Sequence, residues 1–138
     1  MTVLKLPGEV RARIESHAHA GYPEETCGLL IGHQADGVVS VCAAPPARNV
    51  NRERPEDRYE LDPLAMLRAD RDARCRGLEV VGVWHTHPDH AAQPSATDRA
   101  AAWEGWSYLI VSVTRRGVGE VRSWRLAGDA FREEGVEP

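Results

Sequence analysis

The stretch LEVVGVWHTHP, Leu78–Pro88, joins a valine-rich apolar run to two histidines one residue apart. The run is short, β-branched and preceded by Gly77, and LEVVGVWH is the strongest strand signal in the chain. It reads as a central strand. Side chains two apart on a strand share a face, so His85 and His87 can converge on one ion. The chain holds its own control in HAH, His17 to His19, inside a predicted helix. There the same spacing is roughly 200° around the axis, and the rings diverge.

Pro88 biases His87 toward extended backbone. Further on, Pro94 leads into SATD, Ser95 to Asp98, where Ser95 suits a helix N-cap and Asp98 the first turn. Taken alone, that pair is a capping arrangement. Beside two strand histidines, Asp98 becomes a candidate third ligand. Two imidazoles and one carboxylate suit Zn²⁺ and leave a fourth position for water, the mark of a catalytic site. His90 is a conceivable fourth ligand, but no strand geometry aims it, and it reads as a loop residue.

Outward from this stretch, Pro7 to Ala20 reads as a helix with Val10, Ile14 and His17 at helical spacing, ended by Gly21. TCGLLIG and GVVSVCAAP read as two strands forming a hairpin across HQADG. Pro45 to Arg58 is a mobile loop passing into a short strand at RYEL. Asp62 caps a helix from Pro63 to about Arg76, with Leu64, Met66 and Leu67 toward the core. Ser95 to Trp103 is a helix, and YLIVSVT and EVRSWRL are closing strands separated by RRGVG. Trp103, Trp106 and Trp124 read as packing residues, and Trp84 should face away from His85. The expected architecture is a mixed α/β single domain over residues 1–138, an antiparallel-rich curved sheet flanked by helices.

The chain has 138 residues, 42% hydrophobic and 28% charged, with a formal net charge of −4. This is an ordinary balance for a globular protein and lacks the basic face of a nucleic-acid binder. No apolar run is long enough to cross a bilayer, and the first residues carry no signal-peptide core. Cys27, Cys42 and Cys75 are odd in number and form no CxxC pair. They read as reduced, mostly buried thiols of a cytoplasmic protein.

His85-x-His87, seven residues, Ser95, two residues and Asp98, with Pro88 and Pro94 in place, resembles the JAMM (MPN-plus) metalloprotease signature. The family's upstream glutamate has its usual setting in YPEETCGLLIG, where Glu25 lies two residues before a Cys-Gly pair. The resemblance implies a JAMM, cytidine-deaminase-like fold and one zinc per chain on His85, His87 and Asp98. It also implies Glu25 as general base and Ser95 as donor to the oxyanion. The compact form is most similar to prokaryotic members that trim residues after the C-terminal Gly-Gly of a small ubiquitin-like β-grasp sulfur carrier. The implied partner is such a carrier, with the enzyme a monomer or a homodimer and neither nucleic acid nor membrane involved. The carrier tail would run along a sheet edge, with the 45–58 loop closing over it. A ubiquitin-deconjugating isopeptidase, a metal-free MPN scaffold and a zinc hydrolase of other substrates are the alternatives.

Overall fold

The computed structural model describes residues 2–138. In chain order the elements are β1 (Val3–Lys5), α1 (Gly8–Gly21), β2 (Cys27–Ala35), β3 (Val38–Ala43), β4 (Pro46–Ala47) and α2 (Pro63–Cys75). They continue with β5 (Glu79–Pro88), α3 (Ala96–Ala101), β6 (Ser107–Thr114), β7 (Gly117–Ala127) and β8 (Ala130–Glu137). β5 is central, as its composition indicates. It pairs parallel with β6, from Gly82↔Ser107 to Pro88↔Val113, and antiparallel with β2, where Cys27 faces His85. From Val80 to Pro88 every residue of β5 is buried, as expected for a strand covered on both faces.

The sheet closes on itself. β1 pairs in parallel with β3 and β8, and β3 returns to β2, so seven strands form the circuit β1-β3-β2-β5-β6-β7-β8. β4 adds a short eighth strand on β2. Antiparallel pairing predominates. The β2–β3 hairpin turns on Asp36-Gly37, both at positive φ (53° and 77°), the pairing a two-residue hairpin favours.

Two cores lie on opposite faces of the sheet. α1 packs Val10, Ile14 and Ala18 with Leu4, Leu30, Val81, Trp84 and Leu109. α2 packs Met66, Ala69 and Ala73 with Leu29, Ile31, Val80, Val83 and Tyr108. Val80 and Val83 thus share one face and Val81 and Trp84 the other, which strict alternation forbids. The β2–β5 register shift at Leu30/Ile31 supplies the extra residue, a β-bulge that resets the phase. After it, alternation runs true, and Trp84 faces away from His85 as expected.

Several expectations need correction. Leu64 and Leu67 are 52% and 66% exposed, because the apolar stripe of α2 runs through Met66, Ala69 and Ala73 instead. Ala18, not His17, completes the buried face of α1. Cys27 alone of the thiols is buried; Cys42 and Cys75 are exposed. α3 stops at Ala101, which leaves Trp103 70% exposed and stacked on Trp106 at 6.3 Å. RYEL makes only a single bridge, Asn49↔Leu61. β1, β4 and β8 carry no sequence signal that was read. β8 is polar, and its buried Glu134 is held by the Ser123 hydroxyl at 2.7 Å and by Thr2. Among the described residues no helix is long and apolar enough to cross a membrane.

Gly82 pairs with Ser107 where β5 and β6 begin their parallel register. A Cβ there would sit 2.0 Å from the Ser107 carbonyl oxygen, which is backbone and cannot step aside. Gly82→Ala is expected to lower stability by about 1–3 kcal/mol in urea unfolding. Gly8→Ala, with no atom near the new methyl, should shift it by less than about 0.5 kcal/mol.

Candidate metal centre

Three elements deliver the candidate residues to one point. β5 presents His85 and His87 on the face reset by its bulge. Glu25 stands just before β2, and Thr26 ties that segment to β5. Its amide donates to the Thr86 hydroxyl at 2.8 Å, and its carbonyl accepts from the Thr86 amide at 2.9 Å. Asp98 arrives from the first turn of α3 through a capping box. Its amide donates to Ser95 Oγ at 3.0 Å, and the Ser95 amide donates to Asp98 Oδ2 at 2.9 Å.

The donor atoms meet closely. His85 Nε2 and His87 Nε2 are 3.2 Å apart, and Asp98 Oδ2 lies 3.4 and 3.0 Å from them. A tetrahedral zinc with ligands at about 2.0–2.1 Å needs donor atoms about 3.3 Å apart, so this triangle has the right size. Its protonation also fits. His87 Nδ1 donates to the Ala91 carbonyl at 2.9 Å, which in the neutral ring leaves Nε2 bare. A bare Nε2 facing a carboxylate oxygen at 3.0 Å requires a cation, either a second proton or a metal ion. Glu25 joins His85 and His87 in a group whose donor atoms lie within 4.8 Å of one another. Its Oε1 is buried and has no hydrogen-bond partner among the described residues, and nor has His85 Nδ1.

Burial sets the electrostatics. It pulls His85, wholly enclosed, toward the neutral ring. Burial opposes charge on His87 too, but the Asp98 carboxylate and the Ala91 carbonyl outweigh it and raise the ring's pKa. Asp98 is likewise buried, yet both histidines hold its carboxyl well below the usual carboxylate range. Burial pushes Glu25, 4% exposed, up to about 8. Glu24 next to it faces outward and pairs with Arg52 at 3.0 Å. The two neighbouring glutamates therefore sit in opposite environments, and only Glu25 points into the cluster. His90 is exposed and stays outside it.

The segment from Arg48 to Asp62 supplies residues that sequence reasoning did not assign. Tyr59 stacks on His85, ring centroids 4.3 Å apart. The Asn49 side chain satisfies four partners. It donates to the carbonyls of Glu25 and Arg58 (3.1 and 3.0 Å) and accepts from the amides of Asn51 and Glu60 (both 3.0 Å). The Glu25 amide in turn donates to the Pro55 carbonyl at 2.7 Å. The segment, expected as a loop, is tied to the Glu25 segment and to itself by these hydrogen bonds. The asparagine followed by polar residues and YEL was visible, but its partners lie in sequence-distant backbone. A polar cleft of about 420 Å³ takes in Glu25, His87 and Ser95, and an apolar groove lined by Met66, Trp103 and Trp106 includes Asp98.

Residues 7–127 match the family model described as prokaryotic homologs of the JAB domain, and the chain belongs to that family. It is 38% identical over 138 residues to the desampylase of Haloferax volcanii, covering 96% of this chain and 94% of that one. It is 30% identical to the CysO-cysteine peptidase of Mycobacterium tuberculosis, covering 97% and 90%. A solution structure from Desulfitobacterium hafniense superposes with a TM-score of 0.84 at 30% identity, over 99% of this chain and 91% of the other. The JAMM resemblance of the histidine motif and the mixed α/β fold both stand.

Removing the Asn49 amide strands two carbonyls and two amides. Asn49→Ala is expected to cost about 2 kcal/mol and to speed hydrogen exchange at Asn51 and Glu60. Unchanged exchange at both amides would show that the side chain does not hold the segment.

Proposed function

We propose that this chain is a zinc-dependent peptidase or isopeptidase of the JAMM type. Its substrate is the amide bond after the C-terminal Gly-Gly of a small ubiquitin-like sulfur carrier protein. One observation carries the reading: a zinc-sized triangle of His85, His87 and Asp98 donor atoms beside a buried, otherwise unpartnered Glu25 carboxyl. The full-length similarity to proteins named desampylase and CysO-cysteine peptidase supports a peptide-bond hydrolase. The carrier substrate rests on the motif's likeness to the compact prokaryotic members.

In this reading His85, His87 and Asp98 hold the ion. Asp98 is preferred to Glu25 as third ligand because its oxygen already completes the triangle, while its backbone and the Ser95 amide fix its orientation. When bound, zinc supplies Lewis acidity for the scissile carbonyl and acidifies water toward neutral pH. Glu25 takes a proton at its carboxylate and returns it to the leaving nitrogen; burial, which raises its pKa above the usual carboxylate range, makes it a stronger base than an exposed glutamate. Ser95 Oγ accepts from the Asp98 amide, which leaves its own hydrogen free to donate to the oxyanion. Tyr59 shields one face of His85 from water.

Carriers extended beyond Gly-Gly are the test, with products read by mass and zinc by elemental analysis. Wild type is expected to bind one zinc per chain and to cleave after Gly-Gly. Asp98→Ala should lose the metal and the cleavage together. Glu25→Gln should keep zinc while kcat falls about 10²–10⁴-fold, and Glu24→Gln should remain active. Cleavage that survives Asp98→Ala sinks the metal assignment. A purified protein with neither zinc nor activity points to the scaffold reading instead.

A further inference from the structure

The polar cleft beside the site is lined by two carboxylic side chains, Glu25 and Asp57, and two arginines, Arg54 and Arg58. Arg54 and Asp57 pair with each other. Arg52, on the same segment, is taken by Glu24. Among the described residues Arg58 has no carboxylate partner, although it lines both the polar cleft and the apolar groove containing Asp98. Its main chain is clamped: the Asn49 amide donates to its carbonyl, and its own amide donates to the Arg54 carbonyl at 2.9 Å. The next residue, Tyr59, lies on the His85 ring. A guanidinium without a carboxylate partner among the described residues is therefore carried on a clamped backbone and lines the cleft that Glu25, His87 and Ser95 also line.

We propose that Arg58 reads the free α-carboxylate of the residue released, which directs the site toward one-residue C-terminal extensions. This deepens the preceding reading and rests on it. In the hydrolysis the amide C–N bond breaks, water's hydroxyl joins the glycine carbonyl carbon, and a proton joins the leaving nitrogen. Glu25, which delivers that proton, borders two clefts; only the polar one also contains His87 and Ser95, whereas the one beside Asn49 contains none of the three proposed ligands and not Ser95. The leaving residue therefore departs into the polar cleft. In a one-residue extension its α-carboxylate is two bonds from the released nitrogen and enters the cleft with it. The planar fork of an arginine matches a carboxylate in two parallel hydrogen bonds. An internal peptide bond or a lysine ε-amine conjugate brings a neutral amide or an alkyl chain to the same place and leaves the guanidinium unanswered.

The experiment compares two carriers ending Gly-Gly-X, one with a free terminal carboxylate and one with a terminal carboxamide, on the zinc-loaded protein. Wild type is expected to favour the acid in kcat/KM by about tenfold to a hundredfold, the worth of one hydrogen-bonded charge pair. In Arg58→Ala that ratio should fall toward one, and in Arg58→Lys it should be intermediate. Arg71→Ala, an exposed arginine of α2 that lines neither cleft bordered by Glu25, should keep the wild-type ratio. A wild-type ratio near one, or a ratio unmoved by Arg58→Ala, overturns the assignment of Arg58 while leaving the peptidase reading intact. Failure to cleave either carrier overturns both.

Discussion

Three electron-rich atoms held within 3.4 Å of one another are the constraint on which the rest of this molecule depends. Two imidazole nitrogens and a carboxylate oxygen do not gather in a buried place unless their surroundings hold them there, because buried charge and lone pairs are costly without partners. The fold meets that demand from three directions. β5 is gripped on both sides by β2 and β6, so the two rings cannot swing apart. Asp98 cannot turn away without breaking the cap of α3, since its Oδ2 accepts from the Ser95 amide while facing both histidines. The hydrogen bond that His87 donates to the Ala91 carbonyl fixes that ring's tautomer.

The bulge between β2 and β5 has a functional consequence. Without the extra residue, Val81 and Val83 would share a face, and His85 and His87 would follow Val81 into the α1 core. With it, Trp84 takes the α1 side, and the histidines follow Val83 toward Tyr59 and α3. The shift of one position thus decides which face carries the chemistry, as a one-residue slip does in any strand.

This explains what was legible beforehand. The central strand, the hairpin across His33 to Gly37 (tighter in the structure, where β2 runs on to Ala35) and the capping signature at Ser95 are local patterns, each written in a few adjacent residues. The HxH spacing with Asp98 is also local, and strand geometry alone separated His85 and His87 from His17 and His19. Glu25 was found through the family setting of its segment, since nothing local distinguishes it from Glu24. What stayed hidden was long-range. β1 and β8 are strands because they complete a circuit with β3 and β7, not because their residues alternate. Leu64 and Leu67 look buried by composition, yet the helix turns Met66, Ala69 and Ala73 inward. Tyr59 and Asn49 act through partners far away in sequence, which no spacing announces.

The segment from Arg48 to Asp62 changes how the site should be understood. A mobile lid would have to order itself at each turnover and would give up part of the binding energy to do so. Here the ordering is already built in. Asn49 satisfies all four of its hydrogen-bonding groups, Pro55 receives the Glu25 amide, and Tyr59 rests on His85. The same segment thus positions the buried carboxyl from its backbone and shields a histidine with a ring. A site whose polar groups are aimed before substrate arrives loses little to reorganisation. On the proposed reading, selectivity would come from fixed groups such as Arg58 rather than from closure.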